Sequence, residues 1–107
     1  LYKKTLDINL SNEYYCIIDN SEGHEYLFAL EDMMFVKDTL SNAGIRWFYC
    51  AIVTKDLAKP PVIRLAETVA ELGDIKAEML STPDYEEAER FILSKLKLSI
   101  RQNKNYG

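Results

Sequence analysis

Glycine, proline, histidine and cysteine are all scarce in this chain: four, three, one and two among 107 residues. Each shortage removes a chemistry. Four glycines are a poor supply for a phosphate-cradling loop, and no GxGxxG, P-loop or GxSxG segment occurs. One histidine and two well-separated cysteines do not make a zinc site, and HExxH and CxxC are absent. No apolar run approaches the roughly 18 residues of a membrane helix, so no membrane partner is expected. No segment reads as a signal peptide. No cofactor is expected either.

What is present is the ordinary mix of a globular chain, 48% apolar and 28% charged. It excludes collagen, a disulfide-dense toxin and an acidic disordered tail. The length predicts one domain over residues 1–107, with 99–107 as a frayed tail.

Charge is unevenly spread. Residues 1–65 carry a net charge of -2, residues 66–89 carry -7, and residues 90–107 carry +5 with no acid at all. Cys16 and Cys50 sit inside the apolar runs Tyr14–Ile18 and Trp47–Val53, where thiols behave as small buried hydrophobes. Free thiols predict a reducing, cytoplasmic compartment.

Strict alternation predicts a strand over 3–10, with Thr5, Asp7 and Asn9 on the wet face and Leu6, Ile8 and Leu10 on the dry one. Ser11-Asn12 reads as a turn, and residues 14–19 and 24–30 as two further strands around an Asn20–Gly23 loop. Asp32 opens a helix whose stripe is Met33, Val36, Leu40 and Ala43, closed by Gly44. Residues 45–53 are almost continuously apolar, which predicts a central strand covered on both faces. After Pro60-Pro61 a second stripe follows, Val62, Leu65, Val69 and Leu72, stopped by Gly73. Residues 75–79 alternate as a short strand. Thr82-Pro83-Asp84 starts a third helix, with Tyr85, Ala88, Ile92 and Leu96 on its core face and Phe91 beside them, ending near Leu98. The predicted class is α+β or α/β in the order βββαβαβα. A mixed sheet of about five strands begins as an antiparallel meander and continues as a parallel, right-handed βαβ unit over 45–80.

Chemistry-bearing residues are few. His24 reads as a solvent-facing hairpin residue, because no orienting partner or nucleophile accompanies it. Asp19, Glu22 and Glu25 lack the ligand spacing of a calcium loop. In element order, residues 3–80 resemble the ribonuclease H-like fold. That resemblance implies a divalent-metal nuclease, in which carboxylates hold two Mg²⁺ ions against the attacking and leaving oxygens. Asp7 lies on the first strand, Glu31 or Asp38 on or near the first helix, and Asp56 after the fourth strand. The glycine-rich turn usual after the first strand of that fold is missing here.

Two surface features remain. Arg90, Lys95, Lys97, Arg101 and Lys104 make the C-terminal segment basic, and Tyr106 could stack on a base. Basic residues also suit the negative end of a helix without any partner. Aromatics concentrate on the strands, and alternation sends Tyr14 and Tyr15, and likewise Trp47 and Phe48, to opposite faces. Tyr15 and Trp47 are therefore the candidate protein-interface anchors. The leading expectation is a non-enzymatic interaction or regulatory domain with a protein partner, including a homodimer through an open sheet edge or aromatic face. The alternatives are nucleic-acid binding through the basic C-terminal helix and the Mg-dependent nuclease.

Overall fold

A computed structural model describes residues 3–20, 30–55 and 60–105. It is a small mixed α/β domain. The elements are β1 (Lys3–Leu10), β2 (Glu13–Asn20), α1 (Leu30–Asn42), β3 (Trp47–Thr54), α2 (Pro60–Leu72), β4 (Lys76–Thr82) and α3 (Tyr85–Asn105). Among the described residues the sheet has four strands in the order β1-β2-β3-β4. β1 and β2 form an antiparallel hairpin, with a register shift between Lys4 and Leu6. β2, β3 and β4 then run parallel. The expected strand over 24–30 lies outside the described residues except for Leu30, which opens α1.

Residues 45–53 do supply the central strand. β3 hydrogen-bonds on both edges, and Cys50 to Thr54 are buried. Period-two alternation splits its side chains between two layers. Tyr15, Ile17, Ala51 and Val53 face α3 and form one core with Ala88 and Ile92. Cys16, Cys50 and Ile52 face the other way, with Tyr14, Ile18, Phe48 and Met79 packed around them. α1 packs on α2, α2 on β4, and α3 across β2, β3 and β4. Among the described residues no helix packs on β1, and Asp7 and Asn9 are exposed as their alternation requires.

α1 and α2 end in the same way. Ile45 and Ile75 donate their amides five residues back, to the carbonyls of Leu40 and Ala70 at 3.0 Å each. The preceding residue donates to the carbonyl of Ser41 or Glu71. This is the Schellman stop, whose next-to-last residue must be left-handed. Gly44 fills that place in α1 at φ 82°, as expected. In α2 the left-handed residue is Asp74, at φ 59°, not Gly73. Gly73 serves space instead: a Cβ there would sit 2.9 Å from the aliphatic stem of Lys37. The buried Ile45 and Ile75 then lead into β3 and β4.

α3 starts two residues beyond the expected Thr82 cap: Thr82 still belongs to β4, Pro83 precedes the helix, and Asp84 is the cap. The Asp84 carboxylate accepts from the Glu86 amide at 3.0 Å, and Thr82 Oγ1 accepts from the Asp84 amide at 3.1 Å. The helix runs to Asn105, past the expected end near Leu98, because no glycine or proline interrupts residues 84–105. Among the described residues no helix is long and apolar enough to cross a membrane.

Candidate functional site

The cleft begins with a mismatch between the helices and the sheet. α1 leans on α2 rather than on a strand, which leaves a gap of about 430 Å³ above the sheet. Its floor is Ile18, Phe48, Cys50, Ile52, Ala77 and Met79. Met33, Val36 and Leu40 of α1 and Ala66 and Ala70 of α2 close it from above. Among the described residues Asp32 and Lys37 are its only charged lining, and Lys37 Nζ is held 2.8 Å from Asp38 Oδ1. The size and the apolar lining are those of a binding cleft. No cluster of three metal-ligating side chains exists among the described residues.

The same lean leaves apolar side chains outside. The α1 stripe is only partly covered: Met33 is buried, Leu40 is half-buried, and Val36 and Ala43 are exposed. Leu65 and Leu72, expected in the α2 core, are exposed, Leu72 to 69%. Val69 of the same stripe is buried as expected, burial of Val62 lies outside the described residues, and Ala66 and Ala70 line the cleft. Phe35, off the predicted stripe, is 66% exposed. Among the described residues, five of the nine exposed large apolar side chains (Leu30, Phe35, Val36, Leu65 and Leu72) lie on α1 and α2, so this layer carries most of their apolar surface.

The two interface anchors named from sequence part company. Trp47 is exposed at the start of β3, with Lys76 Nζ 5.5 Å from its ring centroid. Tyr15 is fully buried. It lies beneath α3, stacks on Tyr49 at 5.0 Å, and donates its hydroxyl to Glu13 Oε1 at 2.8 Å. Tyr14, on the opposite face, is half-buried against Phe48. Alternation separated the two tyrosines correctly, but α3 covers the one expected outside.

Tyr49 follows Tyr15 in the cross-strand row and is followed by Glu78. Burial raises its phenol above the ordinary value of 10.0, and the carboxylates of Glu78 and Glu13 push it the same way. The folded state therefore holds this proton more tightly than the unfolded chain. That contribution is fully present below pH 10 and is lost as pH rises from there through the raised folded value. Tyr49→Phe is expected to make the alkaline fall in stability shallower and to delete the late step in the tyrosinate absorbance titration. An unchanged late step would assign it to another tyrosine.

The basic residues are spread along α3. Arg90 and Lys97 are exposed. Lys95 is engaged: its Nζ lies 3.0 Å from Glu78 Oε1 and 5.5 Å from the Phe91 ring centroid. Arg101 and Lys104 continue the same helix, and Tyr106 lies outside the described residues. Among the described residues the acids of the nuclease reading are not gathered. Asp7 is on the edge strand, Glu31 and Asp38 are exposed on α1, and Asp56 lies outside the described residues, as do His24, Glu22 and Glu25.

The class these features define is a small mixed α/β domain with one apolar, helix-roofed cleft among the described residues. No protein-family model, curated protein or solved structure gives a significant match to the chain.

Proposed function

We propose that this domain is a non-enzymatic interaction module, and that its protein partner seats on the α1–α2 layer. One observation carries the reading: among the described residues, five of the nine exposed large apolar side chains stand on these two helices, beside an apolar cleft. Concentrated apolar exposure of this kind marks binding surfaces, and aromatic side chains such as Phe35 supply the anchors. The free thiols fit a reducing, cytoplasmic setting.

A photo-crosslinking residue placed at position 35, and in a control at Glu89 on α3, tests this in the source cell. A discrete adduct at 35 that is absent at 89 is expected, and an adduct of twice the chain mass identifies a second copy as the partner. Equal labelling at both positions, or none at 35, rejects the surface.

A second reading is favoured by the unbroken course of α3. Positions 97, 101 and 104 recur at spacings of four and three in one continuous helix, so three basic residues share a stripe. Such a stripe suits a nucleic-acid backbone. Truncation after Leu98 would then abolish a salt-sensitive mobility shift of DNA or RNA while leaving the position-35 adduct intact. Unchanged mobility of both nucleic acids at high protein concentration removes this reading.

A further inference from the structure

We propose that Cys16 and Cys50 are a redox pair that closes to a disulfide across β2 and β3 when the domain meets a hydroperoxide. The two are direct register partners on neighbouring parallel strands. Paired strands lie about 4.8 Å apart, inside the 4.4–6.8 Å that a disulfide spans between Cα atoms. Both side chains leave the sheet on the same face, where they form one cluster with Ile52. Neither cysteine is in a disulfide, and they are 3% and 1% exposed.

Burial normally makes a cysteine inert. Here Cys50 forms part of the wall of the 430 Å³ cleft, so a small oxidant has a route to it that the bulk surface does not offer. Cys16 does not line that cleft, which orders the steps. The Cys50 thiol gives up its proton, and its sulfur attacks one oxygen of the peroxide. The O–O bond breaks, a sulfenic acid forms, and the leaving oxygen takes up the proton as water. The Cys16 sulfur then attacks the Cys50 sulfur. The S–O bond breaks, and the hydroxyl leaves with the Cys16 proton as a second water. Two thiols and one hydrogen peroxide thus give one disulfide and two waters. The sulfurs lose two electrons and the peroxide gains them.

The test uses the whole folded chain at low concentration, treated with stoichiometric hydrogen peroxide, then alkylated and digested. The expected result is a protein lighter by two hydrogens, an intramolecular peptide joining Cys16 to Cys50, and full recovery of both thiols with dithiothreitol. Cys16→Ser is expected to stop at a Cys50 sulfenic acid that dimedone traps, while Cys50→Ser leaves Cys16 unmodified. If serine disturbs the fold, wild-type peptide mapping decides alone, with near-ultraviolet circular dichroism recorded before and after oxidation. Two thiols that stay alkylatable, sulfinic acids without a link, or links formed only between chains each overturn the pair. None of these outcomes bears on the position-35 crosslink, because the pair does not depend on what binds the α1–α2 layer.

Discussion

Ile92→Ala will destabilise the domain by about 3 kcal/mol, while Leu93→Ala beside it will cost less than about 1 kcal/mol. The two residues are neighbours in sequence and point about 100° apart around α3, one into the core and one toward solvent. Ile92 has no exposed surface and packs with Tyr15, Ile17, Ala51, Val53 and Ala88. Leu93 is 48% exposed. Truncating Ile92 removes its transfer free energy and leaves a hole that a sheet hydrogen-bonded on both sides cannot collapse to fill. Leu93 leaves no hole. A domain of this length has a total stability on the order of 5–15 kcal/mol, so the first change is a large fraction of it and the second is not. Urea unfolding of both variants checks the contrast: a shift in midpoint of similar size for the two would mean that α3 does not seat on the sheet through the Ile92 side.

Ala51→Asp should leave the chain largely unfolded at neutral pH. Ala51 is fully buried on β3 between Ile17 and Leu80, beneath α3. Every member of its core except Tyr15 is apolar, and the Tyr15 hydroxyl already donates to Glu13. A carboxylate placed there loses its hydration and gains no charged partner, a penalty of about 4 kcal/mol or more. The sign of the pH response follows. Burial raises the carboxyl above its unfolded value, so the protonated form is the better tolerated one. The deficit is therefore greatest above the raised folded value and shrinks as pH falls toward the unfolded value near 4. Loss of near-ultraviolet circular dichroism at neutral pH, with partial return under acid, is the expected pattern. A cooperative fold at pH 7 with normal stability would show that water reaches this face.

The local pattern of apolar residues was enough to place most elements. The near-continuous apolar run after Arg46, through Val53, identified the central strand because a strand dry on both faces tolerates such a run. Asp84 and the spacing of Ala88 and Ile92 identified α3 and its buried side. The failures share a cause: periodicity finds an apolar stripe but not the surface that receives it. Leu65 and Leu72 lie on a proper helical stripe and still face outward, because α2 meets β4 through smaller residues. Tyr15 and Tyr14 were separated correctly, yet which of them is sealed depends on where α3 lies, 70 residues further along the chain. The cleft was not foreseen because nothing local says that α1 leans on α2. The signal available was Phe35, a large aromatic off the stripe of its own helix. The pairing of Cys16 with Cys50 depends on the register of two parallel strands joined by a helical crossover, and no short-range pattern encodes it.

The strand order follows the chain without a single exchange of neighbours. Each new strand therefore docks on the one made just before it, and the sheet can be laid down in the direction of synthesis. The layer above Tyr15, Ile17, Ala51 and Val53 is added after the sheet, because α3 follows every described strand. Until that helix leaves the ribosome, this side of the sheet is an uncovered greasy plane, and the nascent chain is then most prone to aggregate.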